Sequence, residues 1–196
     1  MDEQDLPKRK RIRLREFDYS ENRMYFITIC TYEKKHTLGR IVGYGACDVP
    51  QQRFSQRGKI VEKYIRLMDN KYNNVFIDKY VIMPNHIHMI IAVSNDPAES
   101  YDDNNRVGFF GTSQAPYPTS PGIKKVTLKG NAERANGIIP KFVSLFKRYC
   151  NHEIGENIWQ RRFYDHVIRD ENDYRSIWEY IDNNPARWAE DEYYTE

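Results

Sequence analysis

Residues 80–93 read YVIMPNHIHMIIAV. Two apolar runs meet here, 77–83 (IDKYVIM) and 86–93 (HIHMIIAV), with Pro84 and Asn85 between them. Both are predicted as strands, joined by a bend or a hairpin-like corner. The second run is so apolar after His88 that it reads as a central strand. Side chains at i and i+2 of a strand share a face. His86 and His88 therefore project together, while Ile87 enters the opposite, apolar face. Imidazoles at the start of a central strand cost burial energy unless they find partners, and a divalent metal is one such partner. His-x-His alone is a weak motif, so two histidines on a half-buried strand stands as the competing reading.

Outward from this pair, residues 24–32 (MYFITICTY) form a strong strand signal. Residues 37–49 are broken by Gly39, Gly43 and Gly45, which suits a hairpin or an irregular strand pair. Residues 57–70 place Ile60, Val61, Tyr64, Ile65 and Met68 at helical spacing. Residues 94–137 change character, with SNDPAES, DDNN and PYPTSPG and few periodic apolar positions. A structureless stretch of that length is uncommon in a compact domain. It is read as an insertion or long loop, with GFFGT (108–112) as a small anchor inside it. Helical periodicity resumes at 139–151, where Pro140 suits a first turn. A turn and short strand follow over 157–170, then a last helix over 171–185, stopped by Pro185.

The element order is β, β-hairpin, α, β, β, long loop, α, β, α. It predicts an α+β fold: an antiparallel sheet with helices packed on one face, in a ferredoxin-like, split βαβ arrangement. The expected organisation is a basic arm at 1–20, one domain built from 21–93 and 138–190, and the 94–137 insertion between its halves.

Composition narrows the function classes. With 40% hydrophobic and 30% charged residues among 196, a soluble globular protein is the default. No run approaches the roughly 20 apolar residues of a membrane helix. The first residues lack the apolar core of a secretory signal, so no membrane and a cytoplasmic location are expected. Three cysteines without a CxxC pair indicate neither a disulfide framework nor a thiolate zinc site. The net charge of +2 demands no polyanion, but Lys8, Arg9, Lys10, Arg11, Arg13 and Arg15 crowd into eight residues and can neutralise phosphates.

Two further features carry chemistry. Tyr180 and Asn184 lie four apart on the last helix and share a face. If that face meets the His86/His88 strand, two imidazoles, an amide oxygen and a phenol converge. Such nitrogen and oxygen donors suit Mg²⁺ or Mn²⁺ bridged to a phosphate. The competing reading packs Tyr180 beside Trp178 and Ile181 and leaves Asn184 as a helix cap. In NIWQRRFYDHVIRD (157–170), Arg161 and Arg162 alternate with aromatics, a pattern suited to single-stranded nucleic acid. Lys147 and Arg148 add charge on the preceding helix. No phosphate-binding loop, GxSxG, HExxH or GxGxxG motif occurs.

Taken in order, YVIMPNHIHMIIAV and IWQRRFYDHVIRDENDYRSIWEYIDNNP resemble the single-tyrosine HUH transposases, most of all the REP-associated tyrosine transposases. The likeness spans 11–93 and 139–188. The first strand, NRMYFITIC, lacks the glycine-threonine-tryptophan-tyrosine string that this branch often carries. The resemblance implies that His86 and His88 bind a divalent cation, Mg²⁺ or Mn²⁺, completed by Asn184. It implies that Tyr180 is the nucleophile, with Tyr149 and Tyr174 as rivals that lack an amide one turn on. It further implies an HUH fold, a 5′-phosphotyrosine intermediate, and single-stranded or hairpin DNA as partner. Arg9, Lys10, Arg11, Arg13, Arg15, Lys147, Arg148, Arg161 and Arg162 are the candidate DNA contacts. A homodimer sharing active sites and a non-catalytic, domesticated hairpin-DNA-binding protein both fit the same pattern.

Overall fold

The computed structural model describes residues 23–43, 50–94, 126–129 and 137–195. The basic arm, with Arg9, Lys10, Arg11, Arg13 and Arg15, lies outside the described residues, as does GFFGT.

Among the described residues, six strands and three α-helices follow the predicted order. These are β1 (Arg23–Cys30), β2 (Gly39–Val42), β3 (Gln51–Phe54), α1 (Gln56–Lys71), β4 (Val75–Ile82), β5 (His86–Val93), α2 (Ile138–Ile154), β6 (Tyr164–Ile168) and α3 (Glu171–Asn183). Four strands make one antiparallel sheet in the order β4-β5-β1-β6. Strand β5 sits between β1 and β4, so β1-α1-β4 is a βαβ unit split by a third strand, as predicted. The β2-β3 ribbon is separate. Its second strand begins at Gln51, beyond the 37–49 window read from the glycines.

All eight residues of β5 are buried, which explains its nearly unbroken apolar run. Its two faces feed two cores. Ile87, Met89, Ile91 and Val93 join Tyr25, Ile27 and Ile29 of β1 beneath Val61, Ile65 and Met68 of α1 and Phe142, Val143 and Phe146 of α2. Ile90 and Ala92 join Met24 and Phe26 beneath Tyr174 and Ile181 of α3 and Trp188. The expectation of helices on one face thus describes α1 and α2. Helix α3 covers the other face, and that placement creates the site.

Local chemistry starts and positions each helix. The Ser55 side chain accepts from Gly58 N at 3.1 Å and caps α1. Gly58 lies against the chain at Leu38, where a Cβ would meet the Leu38 carbonyl oxygen at 1.9 Å. The Asp170 carboxylate accepts from Asp173 N at 2.9 Å and caps α3.

Strand β4 carries a bulge between Ile77 and Lys79. The extra residue shifts the alternation, so two successive side chains reach α3. Asp78 accepts from the Tyr174 hydroxyl at 2.7 Å. Lys79 is buried, donates to Asp182 at 2.7 Å and lies over the Trp178 ring at 3.2 Å. Within the 94–137 stretch, the described residues Val126–Lys129 are docked. Asn74 donates to Leu128 O at 3.0 Å and accepts from Leu128 N at 2.8 Å.

Candidate active site

The site lies where the start of β5 faces the last turns of α3. The Pro84-Asn85 corner positions it. Asn85 Nδ2 donates to Lys34 O at 3.1 Å and to Tyr193 O at 2.7 Å. Two carbonyl acceptors assign the amide nitrogen to that side, so Oδ1 faces His86 Nδ1 at 2.8 Å. An amide oxygen only accepts. His86 must therefore donate from Nδ1, and its lone pair sits on Nε2. That atom is buried and has no hydrogen-bond partner. A buried lone pair without a donor is costly and points to a missing electrophile.

His88 repeats the arrangement one pleat on. Its Nδ1 lies 2.8 Å from Thr28 Oγ1, leaving Nε2 toward the same space. The rings are 4.4 Å apart between centroids, and Phe26 stacks on His88 at 5.1 Å. Burial pushes His86 down to about 4 and His88 well below the ordinary imidazole value. Both are neutral at pH 7, the form a metal requires.

Helix α3 brings Tyr180 onto this pair. Its hydroxyl is 3.3 Å from His88 Nε2 and 3.4 Å from Asp191 Oδ2. The residue is 40% exposed, so Tyr180 is reached by solvent from the groove beside it. Burial first, and then the Asp191 and Glu192 carboxylates, hold the Tyr180 hydroxyl well above the usual tyrosine range, while Asn184 works against them. Asn184 is buried. Its Nδ2 donates to Asp191 Oδ2 at 2.7 Å, and its Oδ1 is a second buried polar atom without a partner.

Asp191 is the residue that sequence reasoning missed. It follows a 3-10 turn at Trp188–Glu190, outside any periodic segment. One oxygen of its carboxylate and one nitrogen each of His86 and His88 lie within 4.8 Å of one another. Two imidazole nitrogens and a carboxylate oxygen form a cluster that could hold a metal ion. Its proximity to Asn184, with the unpartnered Oδ1 beside it, makes the amide a further donor. The donor set could hold a divalent metal ion, and the orphaned His86 Nε2 is the observation behind that fit.

No family model matches this chain. An uncharacterized protein of Haemophilus influenzae (strain ATCC 51907 / DSM 11121 / KW20 / Rd) is 30% identical over 190 residues, covering 96% of this chain and 94% of its own length. The chain belongs to that protein's family. Among solved structures, a REP-associated tyrosine transposase bound to a REP hairpin is similar in fold. The TM-score is 0.53 at 18% identity, over 90% of this chain and 73% of that one. The likeness is one of fold. No helix among its described residues is long and apolar enough to cross a membrane.

The other predicted residues lie elsewhere in this family member. Lys147, Arg148 and Arg161 line a groove of about 590 Å³ along α2, and α2 lies on the sheet face opposite Tyr180. Lys147 is occupied structurally, donating to Gln160 O at 2.7 Å and Arg162 O at 3.1 Å. Of the rival tyrosines, Tyr149 is on α2 and donates no group to the site, and Tyr174 is buried against Asp78. His166 pairs with Asp173 at 2.9 Å and supports α3 rather than the histidine pair.

Proposed function

We propose that this protein is a divalent-metal-dependent DNA nuclease and strand transferase that uses Tyr180 as its nucleophile. One observation carries the reading: the Tyr180 hydroxyl lies 3.3 Å from His88 Nε2, at the mouth of the space that the unpartnered His86 Nε2 also faces. The fold likeness to a transposase that was solved with a REP hairpin supports single-stranded or hairpin DNA as the substrate.

His86 and His88 would hold Mg²⁺ or Mn²⁺, with Asp191 or Asn184 completing the set. Bound there, the cation would supply Lewis-acid polarisation of the scissile phosphate and offset its developing charge. The chain's residues do the rest. Asn85 and Thr28 orient the imidazoles. Phe26 supports His88, and Phe26 and His88 flank the Tyr180 ring edge-on at 6.1 Å and 5.2 Å. Tyr180 Oη attacks phosphorus, the bond from phosphorus to the 3′ oxygen breaks, and the phenolic proton leaves with the released 3′-hydroxyl as net balance. The product is a 5′-phosphotyrosine, which that hydroxyl can attack in reverse to rejoin the strands.

The test uses a labelled hairpin oligonucleotide with a single-stranded flank, Mn²⁺, and a denaturing gel. Wild-type protein should give a covalent adduct, and Tyr180→Phe should give none while still binding the DNA. Cleavage by Tyr180→Phe at the wild-type rate excludes the assignment. Binding without any adduct in the wild type identifies a non-catalytic hairpin-binding protein instead.

A further inference from the structure

Tyr164 opens the edge strand β6 and is 45% exposed. Of the exposed aromatic residues among those described, it alone belongs to the sheet. The register fixes its neighbours. Tyr164 is opposite Thr28 of β1, and Thr28 is opposite His88 of β5. Directly paired residues share a face, so Tyr164, Thr28 and His88 form one row across the sheet. Phe26, two residues from Thr28, joins that row to the phenol. Its ring centroid is 6.3 Å from Tyr164, 5.1 Å from His88 and 6.1 Å from Tyr180. Helix α3 crosses this face from His166, which pairs with Asp173, to His88 beside Tyr180, and it leaves Tyr164 uncovered. The neighbouring aromatics belong to the opposite face. Trp159 is buried in the first core, and Phe163 packs against it.

Strands lie about 4.8 Å apart, so the Tyr164 backbone is about 10 Å from that of His88. An exposed ring at that reach from the nucleophile is a platform for a base. We propose that Tyr164 is a nucleobase-binding subsite, stacking on the base of a nucleotide next to the phosphate that Tyr180 attacks and so setting that phosphate before the phenol. The inference rests on the proposed function and adds how the substrate is held. Every base has a π-face, so such a platform accepts an unpaired strand of any sequence. Bases inside a paired stem already stack on one another and cannot use it. The substrate at the site is then a single-stranded flank and not the stem.

Charge agrees with a strand that passes over β6. On the α3 side of Tyr180, the groove of about 620 Å³ carries Glu179, Glu190, Asp191 and Glu192 against Arg187. That wall repels a polyanion. On the β6 side, Arg162 is exposed two residues before Tyr164. Asp165 pairs with Ile27, whose side chain lies in the first core, so its carboxylate alternates away from Tyr164.

The probe is a hairpin oligonucleotide with a single-stranded flank, carrying 2-aminopurine at each flank position in turn. Full-length Tyr180→Phe in chelator binds it without turnover. One position should lose emission on binding, regain it in Tyr164→Leu/Tyr180→Phe and stay quenched in Tyr164→Phe/Tyr180→Phe. The leucine protein should bind about tenfold more weakly, as for one lost stack. An abasic site at the responding position should weaken binding by Tyr180→Phe equally and binding by the leucine protein no further, a non-additivity that a merely structural role would not give. Equal melting temperatures check that the variants fold. With wild type and Mn²⁺, the adduct maps the cut, and the responding base should adjoin it. The proposal is overturned if no flank position depends on Tyr164, if the abasic and leucine penalties add fully, or if the responding base lies away from the cut. A Tyr164-dependent base with no adduct in the wild type removes cleavage and leaves the subsite standing. An adduct without such a base does the reverse. If no protein binds the oligonucleotide, both fall.

Discussion

At the scale of single residues, the site depends on two neutral imidazoles kept in one tautomer. Asn85 is the residue that decides His86, and outer partners of metal ligands typically contribute 10–100-fold to affinity. Asn85→Ala should therefore weaken Mn²⁺ binding about tenfold by titration calorimetry, while Asn85→Asp, which keeps an acceptor, should retain most of it. Equal loss in both variants would remove Asn85 from this role. The same burial makes the metal-free protein acid-sensitive. His86 is held near 4 and His88 well below 6.5, whereas both titrate near 6.5 in the unfolded chain. Over that window the unfolded state binds more protons, so stability rises with pH and is lost on acidification. In chelator, the urea midpoint should fall between about pH 7 and about pH 4.5, and His86→Gln/His88→Gln should flatten the slope. The strand period made the shared face of His86 and His88 legible in the sequence, whereas helical spacing set Tyr180 only beside Asn184 and the family resemblance singled it out. Asp191 was not legible, because no period connects it to the pair that it meets.

At the scale of elements, the strands and helices follow the hydrophobic pattern, and the departures have local causes. The β5 run was readable as central because it is apolar on both faces. The β4 bulge was not readable: IDKYVIM fits a plain strand, and only pairing with β5 reveals the added residue at Asp78. Likewise, the sequence marks 57–70 as a helix without showing that Gly58 touches the chain at Leu38. Ordinarily Gly→Ala inside a helix is favourable by about 1 kcal/mol. Here the Cβ would overlap a backbone oxygen at 1.9 Å, so Gly58→Ala should instead destabilise by about 1–3 kcal/mol in denaturant unfolding. A stabilised variant would show that Leu38 yields freely. At α3, loss of the Asp170 cap in Asp170→Ala should cost about 1 kcal/mol, read as a lower melting temperature.

At the scale of the whole molecule, the split βαβ sheet was predictable from element order alone, since the β1-α1-β4 connection leaves room for β5. The opposite placement of α3 was not, because its amphipathic face fits either side of a sheet. Residues 126–129 are held by the Asn74 amide beside backbone bonds between Val126 and the chain at Lys71 and Asn73. Asn74→Ala strips both partners from the Leu128 backbone, and each buried group left unpaired costs about 1–3 kcal/mol. Faster exchange at Leu128, with β5 unchanged, is the expected outcome. Unchanged exchange would place the anchor elsewhere.

The bulge of β4 also decides how α3 is held. Asp78 grips α3 six residues before Tyr180, and Lys79 grips it two residues after, through Tyr174 and Asp182. With a fastening on either side of the phenol, Tyr180 is held to the sheet at two points. Under the proposed reaction the phenol is the held partner, and the travel between covalent and free states falls to the nucleic acid.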